Sequence, residues 1–126
     1  MSEALLLELE EVLDIHAEAL ARYGGQDGVR DQGLFESAVH AAVNVAHYGQ
    51  GDLFEIAAAY AFHIAENQAF FDGNKRTAIG SALTFLRVNG IRLDDHDGHL
   101  YDALMAIAAK TMTRDDLAVC LRGWAL

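Results

Sequence analysis

A chain of 126 residues with 52% hydrophobic and 22% charged side chains is the size of one folded domain and too apolar to stay disordered. Its longest unbroken apolar runs, residues 56–62 and 103–109, are seven residues each, far short of the ~18 that a membrane-spanning helix needs. A net charge of −10 excludes a protein that coats DNA or an anionic membrane, because both require a cationic face.

Proline is absent, so glycines and capping residues set the element boundaries. The whole chain reads as helices, an all-α bundle of about six in a single domain over residues 1–126. Ser2 is placed to cap a first helix running to about Tyr23, with Leu5, Leu9, Val12, Leu13, Leu20 and Tyr23 on one stripe and Glu8, Glu11 and Glu18 toward water. Gly24-Gly25 stops it. Asp31 then caps a second helix that turns Leu34, Ala38, Val43 and Val45 inward and ends at the glycine-flanked loop 47–51. Asp52 opens a third helix, apolar around its whole circumference from Ile56 to Ile64, the pattern of a rod in the middle of a bundle.

A turn at Asp72-Gly73 leads into a fourth helix, about Asn74 to Val88, that buries Ala78, Ala82, Phe85 and Leu86 and stops at Asn89-Gly90. Gly80 and Ser81 leave room for a neighbour to approach closely. Residues 91–93 form a short extended piece and residues 94–98 a loop. Two shorter amphipathic helices, about residues 99–110 and 114–124, close the chain, with Thr113 capping the second. The lone cysteine, Cys120, forms no internal disulfide and suits a reducing compartment. The start Met1-Ser2-Glu3 is acidic where a secretory leader would be cationic, so the protein is expected in the cytoplasm.

Charge is unevenly spread. Residues 1–74 carry 13 acidic and two basic side chains, whereas residues 75–92 carry Lys75, Arg76, Arg87 and Arg92 with no acid. A cationic island on an acidic protein suits a small anion such as a phosphate. The stretch 68–77, Q-A-F-F-D-G-N-K-R-T, lies beside that island, at the junction of the third and fourth helices. A helix start after a tight glycine turn presents unpaired N–H groups and the positive dipole end, which together hold phosphate oxygens. Asp72 can bind a hard cation such as Mg2+, and Asn74, Lys75 and Arg76 add an amide, a point charge and a planar fork. The plainer alternative is that Asp72 caps the helix, Gly73 turns the chain, and Lys75 and Arg76 are solvated.

The same stretch resembles the Fic/Doc superfamily signature, H-x-F-x-D/E-G/A-N-K/G-R, and is most similar to its Doc (death-on-curing) toxin branch. The likeness extends over residues 10–93 through Asp14-Ile15-His16, Tyr23-Gly24-Gly25, Arg30-Asp31, residues 34–38, residues 52–55 and residues 84–90. It implies a compact six-helix fold that uses ATP and Mg2+ to transfer the terminal phosphate to a hydroxyl of a host translation factor, elongation factor Tu in the family. It also implies a toxin–antitoxin pair, the antitoxin's disordered tail folding onto the toxin. By that resemblance Phe70 fixes the loop, Asp72 positions Mg2+, Gly73 supplies the anion nest, and Asn74, Lys75 and Arg76 hold phosphates. The loop with His47, Gly49 and Gly51 would be the flap that docks the target.

One position departs from the signature. The histidine that takes the proton from the attacking hydroxyl is replaced by Gln68, whose amide is not a base near neutral pH. Two alternatives stand beside the phosphotransferase: an impaired, nucleotide- and antitoxin-binding pseudoenzyme, or Fic-type AMP transfer, against which Lys75 argues. His63, five residues before Gln68, is out of register with the motif. His16 falls on an apolar stripe and reads as a buried, hydrogen-bonded structural residue. The acidic and imidazole residues of 94–99 lack the spacing of a calcium loop.

Overall fold

Capping residues and apolar stripes coincide at six places, and a computed structural model, describing residues 3–94 and 98–126, has a helix at each: α1 (Leu9–Tyr23), α2 (Gln32–His47), α3 (Leu53–Asn67), α4 (Asn74–Val88), α5 (His99–Ala108) and α6 (Arg114–Trp124). The described residues include no strand, only two isolated bridges, Val29 with Phe70 and Leu93 with Ala125. None of their helices is long and apolar enough to cross a membrane.

The α3 helix is the axis of the bundle and packs against α2, α4, α5 and α6. Its run of Ala57, Ala58, Ala59 and Ala61 is completely buried, and these small side chains let several helices crowd one rod. Asp52 starts it with a capping box to Glu55. Desolvation raises the Asp52 pKa, but the Glu55 N–H and the Arg122 guanidinium on α6 outweigh it and hold this carboxyl below its ordinary value. α1 lies against α4 across Gly80, where an added Cβ would come within 2.7 Å of Ile15 Cγ2. The close approach expected at Gly80 is therefore that of α1.

Two sequence expectations are corrected. Ser2 lies outside the described residues, and α1 starts later, at Leu9, with Glu8 and Glu11 forming its capping box. The preceding backbone is claimed by side chains from elsewhere. The Tyr60 hydroxyl accepts from Leu7 N–H at 2.8 Å and donates to Leu7 C=O at 3.0 Å, and the Asn89 amide pairs with both Leu5 backbone groups at 2.8 and 3.0 Å. Burial, with these bonds opposing it, pushes the Tyr60 hydroxyl up to about 12, so it stays protonated as donor and acceptor. Leu5 is consequently 63% exposed while Leu7 is buried.

The second correction is rotational. α2 buries Phe35, Ala38, Val39 and Ala42, with Leu34 turned partly outward, and α1 buries Val12, His16 and Ala19, with Tyr23 59% exposed. In both helices the inward stripe is rotated from the one drawn through the largest aliphatics and shares only Val12 and Ala38 with it. Residues 95–97, part of the acidic loop considered for metal, lie outside the described residues, and no metal-binding cluster is found among the others.

Candidate active site

The chain between α3 and α4 is built by a set of backbone locks. α3 ends at Gln68 in the left-handed region, φ 48° and ψ 48°, a conformation that costs a non-glycine residue roughly 1–2 kcal/mol. Arg30 Nη2 donates to the Gln68 carbonyl at 2.5 Å, and the Ala69 carbonyl accepts from the N–H groups of Arg30 at 2.7 Å and Asp31 at 3.1 Å. Phe71 N–H reaches the Gly28 carbonyl at 3.3 Å. The α1–α2 loop thus braces the α3–α4 loop residue by residue.

Phe70 anchors the brace in the core. It is 2% exposed, with its ring stacked on His16 at 3.8 Å and tilted against Phe35 at 5.3 Å. Asn74 locks the same residue from the other side: Phe70 N–H donates to its Oδ1 at 3.0 Å, and its Nδ2 donates to the Phe70 carbonyl at 3.1 Å. The Asn74 side chain thus gives its oxygen and one of its two amide N–H groups to the loop backbone, and its backbone N–H is a further donor at the start of α4.

A cavity of about 500 Å³ opens over this junction, lined among others by Gln68, Phe71, Asp72, Gly73, Lys75 and Arg76. Asp72 does not cap α4. Its Oδ2 accepts from the Gln26 N–H at 2.7 Å, and its carbonyl bonds His16 Nε2 at 2.8 Å. The cap position is Gly73, at φ 81° with no side-chain bond. Thr77 N–H is the first in α4 to find a carbonyl, that of Gly73 at 2.9 Å. The N–H groups of Asn74, Lys75 and Arg76 are orphan donors at the positive end of a fifteen-residue helix. Arg76 lies across the Tyr23 ring, its guanidinium carbon 3.5 Å from the centroid, a stack that holds the charge at the cavity edge without neutralising it.

This donor set suits a phosphate chain. Three backbone N–H groups and two cationic side chains can meet its oxygens, and one carboxylate is enough for a Mg2+ that takes its other ligands from phosphates and water. Gln68, the residue in place of the signature histidine, is exposed on the cavity wall.

The structure brings Gln68, Asp72, Gly73, Asn74, Lys75 and Arg76 to one cavity with Phe70 beneath it. It does not bring His47, Gly49 or Gly51 there. These lie at the far end of α3, whose fifteen residues separate them from Gln68 by about 22 Å at 1.5 Å per residue. Both glycines bond back onto the end of α2, the Gly49 N–H to the Asn44 carbonyl and the Gly51 N–H to the Val45 carbonyl. The flap assignment is corrected accordingly, and the loop beside the motif is residues 24–31. Sequence reasoning missed Tyr23, Gly25, Arg30 and Tyr101 as neighbours of the site. Tyr23-Gly24-Gly25 and Arg30-Asp31 were the available signal, since both carry the family likeness, but neither was given a role at the site. His63 faces α6, where its Nε2 accepts from Arg114 Nη1 at 3.0 Å. Desolvation and the Arg114 charge hold its pKa below the ordinary value.

A six-helix bundle in which a central rod passes its chain, through a braced F-x-D-G-N-K-R loop, to the exposed start of the next helix belongs to the Fic/Doc class of all-α folds. The sequence profile of the Fic/DOC family matches residues 6–86, and the chain is a member of that family. Within it, the chain is 37% identical over 114 residues to a protein described as "Protein kinase doc" from Escherichia phage P1, covering 90% of each chain. It is 37% identical over 124 residues to "Toxin Doc" of Mycolicibacterium smegmatis, covering 94% of this chain and 92% of the relative. The protein is thus a homologue of Doc toxins over nearly its whole length.

Proposed function

We propose that this protein is the toxin of a toxin–antitoxin pair and that it transfers the terminal phosphate of ATP, with Mg2+, to a hydroxyl of a host translation factor of the elongation factor Tu kind. The observation that carries this reading is the cavity at the start of α4, where three orphan N–H groups, Lys75 and Arg76 converge beside Asp72. The kinase description of the phage relative supports phosphate rather than adenylate as the transferred group. Kinship with Doc toxins supports an antitoxin partner and a cytoplasmic site of action.

In the transfer, Lys75, Arg76 and the α4 N–H groups bind and orient the phosphates, and Asp72 holds the cation, which when bound neutralises phosphate charge. Gln68 hydrogen-bonds the incoming hydroxyl without taking its proton, which passes to solvent or a phosphate oxygen. Losing a general base costs about 10²–10⁴ in rate, or roughly 3–5 kcal/mol. Phosphoryl transfer rests largely on positioning and electrostatics, so a slow reaction survives that loss.

Gln68→His tests the reading. Histidine tolerates the left-handed region better than most residues, so the fold is retained, and ATP-dependent labelling of the target rises about a hundredfold or more. Mass analysis of the target then shows one added phosphoryl group; an adenylyl group would establish AMP transfer instead. Gln68 also favours a second reading, a nucleotide- and antitoxin-binding protein without catalysis, under which Gln68→His binds ATP·Mg2+ but modifies nothing.

A further inference from the structure

We propose that His16 is a positioning residue, which keeps the Asp72–Gly73 peptide turned so that the α4 start presents donors, and no acceptor, to an anion. This deepens the nucleotide reading above and rests on it. His16 is buried in the middle of α1, 3% exposed, and no step in the proposed transfer uses it. Its ring lies flat on Phe70, 10° from parallel, and its Nε2 is 2.8 Å from the Asp72 carbonyl oxygen. A carbonyl only accepts, so Nε2 carries the proton and the tautomer is fixed by the partner.

The orientation of one peptide group follows. The described residues include no cis peptide bond, and in a trans peptide the N–H points opposite to the C=O. Drawing the Asp72 carbonyl toward α1 therefore directs the Gly73 N–H away from α1. If that peptide rotated, the carbonyl oxygen would present the negative end of its dipole near the cradle formed by the N–H groups of residues 74–76, opposing a phosphate. Gly73, at φ 81° and without a Cβ, gives the peptide freedom to rotate. An added Cβ at Gly73 would sit 3.4 Å from Leu20 Cδ2 and 3.5 Å from His16 Cδ2, so the imidazole is part of the wall against which the turn rests. A phenylalanine at position 16 would provide the stack but not the donor, and a glutamine the donor but not the stack. Histidine provides both.

The test uses the full chain and this pair of variants. His16→Phe keeps a ring on Phe70 and removes the donor; His16→Gln keeps an amide N–H near Nε2 and removes the ring. Calorimetry with ATP·Mg2+ is expected to show about tenfold weaker binding for His16→Phe, the effect of losing about one hydrogen bond's worth of preorganisation, and binding within threefold of wild type for His16→Gln. Exchange of the bonded amides at the turn, Gln26 N–H on the Asp72 carboxylate and Thr77 N–H on the Gly73 carbonyl, measured without nucleotide, is expected to quicken in His16→Phe and to stay near wild type in His16→Gln. Wild-type affinity in His16→Phe overturns the proposal. So does a His16→Gln variant that binds as weakly as His16→Phe, since the loss would then follow the ring. If the wild-type protein takes up no ATP·Mg2+, the nucleotide reading fails, and exchange alone decides the role of His16: unchanged exchange in His16→Phe refutes it.

Discussion

Asn74→Ala separates a structural role for the motif asparagine from a phosphate-binding one. The side-chain amide makes two bonds to one residue, accepting from Phe70 N–H and donating to Phe70 C=O, and Phe70 is 2% exposed. Each neutral hydrogen bond contributes about 1 kcal/mol net, and water has limited access to the groups left behind, so the substitution is expected to cost about 2 kcal/mol. Unfolding entropy near 2.1 cal/mol/K per residue over 126 residues converts this to a fall in Tm of about 7–8 °C. The assay is thermal unfolding followed by circular dichroism, with Asn74→Asp as companion, which keeps an acceptor for Phe70 N–H and faces the Phe70 carbonyl with an oxygen instead of a donor. It should melt between Asn74→Ala and wild type. Because the Asn74 backbone N–H survives both changes, whatever nucleotide affinity is lost should follow the loosening of the loop. An Asn74→Ala protein that melts within 2 °C of wild type but no longer binds ATP·Mg2+ would refute this reasoning and return the amide to the phosphates.

Gly25→Ala should be worse than Gly24→Ala although both residues have positive φ, because an added Cβ at Gly25 meets Asp72 Cβ at 2.9 Å whereas one at Gly24 meets nothing within 4 Å. Backbone strain costs each about 1–3 kcal/mol, and only Gly25→Ala should also weaken ATP·Mg2+ binding; equal affinity in the two would show that Asp72 does not depend on the brace. His63 supplies a pH dependence. Its folded pKa lies below its unfolded value of about 6.5, held there by burial and by Arg114. The unfolded chain therefore binds the proton first, and stability is lost as pH falls through 6.5 toward the folded pKa. Urea unfolding at pH 7.5 and 5.5 should show a larger loss for wild type than for His63→Gln; parallel losses would mean that His63 contributes nothing.

Where the sequence located helices correctly, the signals were local. Asp31, Asp52 and Thr113 each accept from a backbone N–H three residues on, a bond between near neighbours that residue type and spacing reveal. α1 shows the converse. Ser2 is as good a cap by type, but the backbone at Leu5 and Leu7 is held by Asn89 and Tyr60, 84 and 53 residues away, and no window of sequence contains such competitors. The inward faces of α1 and α2 were misjudged for a related reason: hydrophobicity ranks side chains one at a time, whereas burial is set by which face fits closest against the neighbouring helix, α4 for α1 and α3 for α2.

The candidate site divides along the same line. Residues 70–76 could be read because their chemistry is carried by side-chain type and by the start of α4. The brace could not, since most of what residues 24–31 contribute is backbone, the N–H groups of Gln26, Arg30 and Asp31 and the carbonyl of Gly28, and every non-proline residue owns such groups. The misplaced flap follows from this. Loops 24–31 and 47–52 are both glycine-bounded, and only the antiparallel run of α2 and α3 decides which one returns to the motif. α2 begins beside the end of α3, where Asn67 Nδ2 donates to the Leu34 carbonyl at 3.0 Å, so the loop entering α2 lies at the motif and the loop leaving it lies a helix length away. Under the proposed transfer a target segment docked at Gln68 lies closer to residues 24–31 than to residues 47–52, so substitutions at Tyr48 or Gln50 should leave target modification unchanged while one at Arg30, which holds the Gln68 carbonyl, should reduce it.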